Sequence, residues 1–120
     1  MRILLVDDDF FYLGGLRTVL ERRHEVRVAS DGESAVRMVR QWEPDVAVID
    51  LFLSWENGLD VIEKIRPMLP YTNIVLMTSQ PGTEIREEAF SAGADWFVGK
   101  EEIARLLTIV AQVAANRQHG

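Results

Sequence analysis

Three unbroken apolar runs of strand length, Ile3-Leu4-Leu5-Val6, Val46-Ala47-Val48-Ile49 and Ile74-Val75-Leu76-Met77, set the rhythm of the chain. Such runs mark strands buried on both faces. Trp96-Phe97-Val98 is a shorter run of the same kind. Val26-Arg27-Val28-Ala29 alternates instead, the pattern of a half-exposed strand at a sheet edge. Between the runs apolar residues recur at helical spacing. Phe10, Leu13, Leu16 and Leu20 form one such face, with Asp8 or Asp9 placed to cap its start. Ala35, Val39 and Trp42 form the next after Asp31 and Gly32, and Glu43-Pro44 ends it, because the residue before proline is pushed out of the helical region. Gly58 opens a third helix with Leu59, Ile62, Ile65 and Leu69, closed by Pro67 and Pro70. Pro81-Gly82-Thr83 opens a fourth with a thin inward face of Ile85, Ala89 and Ala92, stopped by Gly93. Ile103, Leu106, Leu107, Val110 and Val113 form the last, with Glu101 and Glu102 expected in its first turn, where the helix dipole favours acids. Phe52 to Asn57 reads as a loop, and Asn116 to Gly120 as a polar, frayed tail.

Five strands alternating with five helices predict an α/β domain spanning residues 1–120. Alternation of this kind builds a doubly wound parallel sheet with right-handed crossovers and helices on both faces. The edge-like second strand suits the flavodoxin-like order 2-1-3-4-5, an order taken over from that fold class.

Composition narrows the function classes. The 120 residues suffice for a core without staples, and the absence of cysteine removes disulfides and thiolate metal sites. Apolar residues at 48% and charged residues at 27% match a globular protein. No run is long enough to span a membrane and no signal peptide pattern opens the chain, so a cytoplasmic protein is expected. The net charge of -6 argues against direct nucleic-acid binding by this domain, since phosphate contacts need a basic surface.

The polar residues that end the strands carry the chemistry. In a parallel sheet the carboxyl ends share one rim, and ligands bind in the crevice outside it. Strand one delivers Asp7 and Asp8, strand three Asp50, strand four Thr78, and Lys100 follows strand five. Carboxylates about 4 Å apart repel by roughly 4 kcal/mol at an effective dielectric near 20. They share a proton or bind a cation. Oxygen ligands without His or Cys suit a hard ion, above all Mg²⁺. A hydroxyl and an ammonium on the same rim complete a phosphoryl site, with Asp50 as covalent acceptor, Asp7 and Asp8 on the metal, and Lys100 and Thr78 toward the phosphoryl oxygens.

These residues fall in blocks. Leu5-Val6-Asp7-Asp8-Asp9, Asp45-Val46 through Asp50-Leu51, Gly58-Leu59, Leu76-Met77-Thr78-Ser79, and Ala92-Gly93-Ala94-Asp95 through Lys100 stand in the order found in the receiver domains of two-component response regulators, which the chain resembles over essentially its whole length. The resemblance implies a phosphoacceptor served by a sensor histidine kinase, with metal contacts from Asp7 or Asp8, Asp50 and the backbone carbonyl of Phe52. It implies a switch in which Thr78 moves toward the phosphoryl group and Phe97 turns inward. That would remodel the face formed by the fourth helix, last strand and last helix toward an output domain or effector, and it leaves a homodimer through that face open.

Competing readings stand beside these. Asp9 reads as a helix cap rather than a ligand, and Phe97 as plain core if it is not a switch. Phe10, Phe11 and Tyr12 are too many aromatics for one inward face, so one or two are exposed. Trp55 follows the acceptor closely enough to shield or sense the site, and His24 and His119 read as surface residues. The chain also departs from the family. Glu101 follows Lys100 where proline, with a cis bond, is usual; a cis bond there would cost about 3 to 4 kcal/mol. Receivers that precede helix-turn-helix output domains often lack this proline too, which suits the front part of a DNA-binding regulator. Ser54 stands where proline is common, loosening the loop, and Phe52 is bulky enough to screen an acyl phosphate from water. Two rivals follow: a non-phosphorylated receiver-like protein-binding module, and a hydrolase with an aspartyl intermediate. The hydrolase is disfavoured because Phe52 supplies no second carboxylate.

Overall fold

A computed structural model describes residues 1–118, so His119 lies outside the described residues. The three apolar runs become β1 (Arg2–Val6), β3 (Val46–Asp50) and β4 (Asn73–Thr78), flanked by β2 (Glu25–Ala29) and β5 (Trp96–Gly99). The strands form one parallel sheet in the expected order β2-β1-β3-β4-β5. Between them run α1 (Phe10–Leu20), α2 (Gly32–Gln41), α3 (Gly58–Ile65), α4 (Thr83–Ala92) and α5 (Ile103–Gln118). Among the described residues no helix is long and apolar enough to cross a membrane.

Alternation along each strand divides the interior into two cores. Ile3, Leu5, Val46, Val48, Val75, Met77 and Val98 face one way and meet Leu13, Leu16 and Leu20 of α1 and Leu106, Ile109, Val110 and Val113 of α5. Leu4, Val6, Ala47, Ile49, Ile74, Leu76 and Phe97 face the other and meet Ala35 and Val39 of α2, Val61, Ile62 and Ile65 of α3, and Ala89 and Ala92 of α4. The connection after β1 leads outward to the edge strand β2, whereas β3 returns on its other side. Consecutive crossovers thus diverge at β1 and β3, which opens a crevice at their carboxyl ends.

Local chemistry sets most boundaries. Asp9 caps α1 by accepting from the Phe11 and Tyr12 N–H groups, as expected, and Asp31 caps α2 through Ser34 N–H. Gly93 ends α4 with φ 118°, the left-handed region glycine tolerates without strain. Several expectations need correction. The segment after Asp50 is no plain loop: Phe52–Leu53 pairs antiparallel with Glu56–Asn57, and buried Leu53 pins this two-stranded ribbon to the core. Glu101 and Glu102 lie ahead of α5 rather than in its first turn, because Glu102 folds back to accept from Gly99 N–H and its own carbonyl receives the Leu106 N–H. Asn116 to Gln118 continue α5 instead of fraying, with Arg117 held by Asp45 at 2.8 Å. His24 is half-buried, its Nδ1 3.3 Å from the chain's amino terminus. No cis peptide bond occurs among the described residues, so Lys100 and Glu101 are joined in trans.

Candidate functional site

Each acid of the site is delivered by a strand that has run out of apolar partners. Asp50 is the last residue of β3, and Asp7 and Asp8 follow β1 directly. Asp7 and Asp50 are 4% and 5% exposed, unusual for carboxylates, which avoid burial unless paired. With the more open Asp8 they form a cluster in which one carboxylate oxygen from each residue lies within 4.8 Å of the other two. Lys100 supplies the counter-charge: its Nζ is 2.9 Å from Asp7 Oδ2 and 3.3 Å from Asp50 Oδ2. One ammonium is thus shared by two buried carboxylates, and the pocket stays negative.

The titrations follow from that imbalance. Burial, then repulsion from Asp7, pushes the Asp50 carboxyl up to about 6, against the opposing pull of Lys100. Burial alone would lower the Lys100 ammonium, but the hydrogen bond to Asp7 and the charges of Asp50 and Asp7 outweigh it and raise it. Tyr12 is pushed up to about 12 by burial and by the same two acids.

Backbone contacts hold the frame. Gly58 N–H donates to the Leu51 carbonyl at 2.8 Å, and a Cβ at position 58 would come within 2.1 Å of the Asp50 carbonyl oxygen. The start of α3 therefore rests directly on the backbone that carries Asp50, and only glycine permits this approach. The Lys100 N–H donates to the Thr78 carbonyl at 2.8 Å, tying β4 to the lysine turn.

The structure brings Asp7, Asp8, Asp50 and Lys100 together. Thr78 ends the neighbouring strand one residue beyond Met77, the register partner of Asp50; it is fully buried, and its hydroxyl accepts from Gln80 N–H at 3.1 Å. Phe97 already faces inward, 6% exposed, on the sheet face that α2, α3 and α4 cover. Phe52 is half exposed on the ribbon, and Trp55 at the ribbon's tip is 98% exposed, so its ring shields nothing. Phe10 and Phe11 are the exposed members of the aromatic trio.

Two contacts were missed by sequence reasoning. Ser54 Oγ donates to Asp8 Oδ2, so the position expected to loosen the loop instead fastens the ribbon to the acidic cluster. Tyr12 reaches Lys100, with its hydroxyl donating to the Lys100 carbonyl at 3.2 Å and its ring 4.6 Å from Nζ. One signal was available for Tyr12: it sits beside Leu13 and one helical turn before Leu16, on the flank of the inward stripe.

A family-wide sequence model of the response regulator receiver domain matches residues 3–111. The chain belongs to that family. Among its relatives, the chemotaxis protein CheY of Halobacterium salinarum is 31% identical over 100 residues, covering 82% of this receiver and 83% of its own length. The two-component response regulator PhoP of Pseudomonas aeruginosa is 35% identical over 101 residues, 83% of this receiver and 45% of its own length. The receiver thus spans less than half of that relative. A solved two-component response regulator of the LuxR family, from Aurantimonas sp., superimposes with a TM-score of 0.85 at 34% identity, covering 95% of this receiver and 85% of that chain. The chain is therefore the receiver domain of a two-component response regulator, a signalling domain of the CheY-like, flavodoxin-like fold.

Proposed function

We propose that residues 1–120 act as one phosphoacceptor domain in which Asp50 takes a phosphoryl group from a sensor histidine kinase. The observation that carries this reading is the Lys100 ammonium, 2.9 Å from Asp7 and 3.3 Å from Asp50, on a rim where Asp8 completes an acidic cluster. An Asp50 carboxylate oxygen attacks phosphorus. The new O–P bond forms as the bond to the donor's leaving group breaks, and the leaving group departs with that electron pair. Lys100 exchanges its contact with Asp50 for one to a phosphoryl oxygen, and Thr78, which still has a hydroxyl proton to give, donates to another.

The donor set fits a hard divalent ion: three oxygen ligands, two of them buried, with one ammonium to offset them. Asp7, Asp8 and Asp50 would hold Mg²⁺ together with the backbone carbonyl of Phe52, and the ion would neutralise charge on the acids and on the phosphoryl oxygens. Asp9 is left out of this set because its side chain caps α1.

Phosphorylation at Asp50 shifts a two-state equilibrium in which Thr78 moves toward the phosphoryl group, Phe97 is held in the inward position it already has, and α4 moves. The surface altered is the α4-β5-α5 face, which contacts an output domain, an effector or a second copy of the chain. A cytoplasmic transcription regulator of PhoP type is the whole-protein form we propose; control of transcription is then exerted through an output domain, with no direct nucleic-acid contact by this one. The test is incubation with Mg²⁺ and a small acyl-phosphate donor, followed by intact-mass measurement. A gain of one phosphoryl group that Asp50→Asn abolishes is expected. No gain from donor or kinase would leave a receiver-like docking module instead.

A further inference from the structure

We propose that Tyr12 is a positioning residue that sets the Lys100 ammonium over the Asp7–Asp50 pair. Its importance for phosphoryl transfer rests on the reading of Asp50 given above; the grip itself does not. Lys100 stands in a turn between the end of β5 and the start of α5, and its side chain has four rotatable bonds. Its backbone N–H is fixed to the Thr78 carbonyl at 2.8 Å, and its own carbonyl accepts from the Tyr12 hydroxyl at 3.2 Å. The ring of the same tyrosine lies 4.6 Å from Nζ. A single side chain from α1 therefore holds both ends of a residue 88 positions away.

The arrangement also accounts for the Tyr12 hydroxyl. It sits 3.6 Å from Met77 Sδ and turns toward the lysine turn instead of solvent. A cation is drawn to the face of an aromatic ring, and a ring beside the ammonium restricts its rotamers without competing for the carboxylates. Tyr12 touches neither the acceptor oxygen nor the incoming phosphoryl group in this scheme. It acts through Lys100.

The chain has one other lysine, the exposed Lys64, which serves as an internal reference. Competitive acetylation of the intact protein, read as the ratio of Lys100 to Lys64 modification, reports how firmly the ammonium is held. Tyr12→Leu is expected to raise that ratio severalfold and Tyr12→Phe to raise it less. Leu20→Ala, which loosens the same helix about two turns beyond Tyr12, is expected to leave it unchanged. The rate of phosphorylation by a small donor should fall roughly 2- to 10-fold in Tyr12→Phe, from loss of one hydrogen bond. Loss of the ring in Tyr12→Leu should cost roughly a further 2- to 30-fold. In a Lys100→Met background Tyr12→Leu should have no further effect on rate, the signature of action through the lysine. An unchanged labelling ratio in Tyr12→Leu overturns the proposal, and so does a rate loss that persists in full without the lysine. If the wild-type protein takes up no phosphoryl group, the Asp50 reading fails, and the labelling ratio still decides whether Tyr12 holds Lys100.

Discussion

Replacing Asp50 by Asn removes one charge from a pocket that holds too many of one sign. The carboxyl of Asp50 lies up at about 6 from an ordinary value of 3.8, and burial and Asp7 are the causes. A displacement of that size corresponds to about 3 kcal/mol. Nearby charges act in both senses. An oxygen of Asp7 and one of Asp8 lie within 4.8 Å of one of Asp50, and each repels by about 3 kcal/mol at an effective dielectric near 20. Lys100 at 3.3 Å attracts by about 5 kcal/mol, so burial is the larger cause. The sign follows from linkage. A carboxyl whose folded value is raised contributes its full stability below its unfolded value and loses that contribution as pH climbs through the folded one. In metal-free buffer, wild type should therefore weaken between about pH 4 and pH 7, and Asp50→Asn, with nothing to ionise there, should not share that component. Lys100 keeps its contact with Asp7 in the variant, so the gain stays below the full figure. Asp50→Asn should be more stable than wild type by about 1 to 3 kcal/mol near neutral pH, or about 3 to 12 °C in Tm. Near pH 4 the two should nearly coincide. Urea unfolding followed by circular dichroism across this range, with chelator present, measures the difference. A gain independent of pH, or a variant less stable than wild type at neutral pH, would refute the electrostatic account. Added Mg²⁺ should stabilise wild type and much less the variant, since linkage stabilises whichever state binds.

Other perturbations probe the frame. Gly58→Ala would drive a Cβ to 2.1 Å from the Asp50 carbonyl oxygen, and backbone cannot yield cheaply; a loss of about 1 to 3 kcal/mol or more in urea unfolding is expected, with weaker Mg²⁺ binding. Asp9→Ala removes the cap on α1 and should cost about 1 kcal/mol in the same assay while leaving Mg²⁺ affinity by titration calorimetry unchanged. Phe52→Asn should let the phosphorylated protein lose its phosphoryl group severalfold faster, followed by intact mass over time; an unchanged lifetime would end the idea that this half-exposed ring limits access of water.

The sheet and the acids were legible because they depend on signals that survive in one dimension. A strand buried on both faces must be apolar throughout, so Val46 to Ile49 announces itself, and a charge can come only where burial ends, as at Asp50. Caps were legible for a related reason, since Asp9 and Asp31 satisfy donors in the next turn. What escaped was set by partners distant in sequence. The Phe52–Leu53 and Glu56–Asn57 ribbon is too short to show a period. Glu102 looks like a first-turn acid until its carboxylate is seen on Gly99 N–H. Trp55 is adjacent to the site in sequence, yet the tip of a tight ribbon points away from it. Tyr12 and Ser54 act across 88 and 46 positions, on Lys100 and Asp8 respectively, and neither residue type advertises such a partner.

The underside of α4 meets the core through the methyl groups of Ala89 and Ala92, with Ile85 half-buried beside them, while Glu84, Arg86, Glu87, Glu88, Phe90 and Ser91 point outward. Methyl groups anchor weakly compared with the branched chains under α3 and α5. Most of this helix is thus released from architectural duty. Its outer residues can be exchanged for others at little cost to folding, so on the proposed reading of the α4-β5-α5 face this helix is free to change its partner while the acidic end stays as it is.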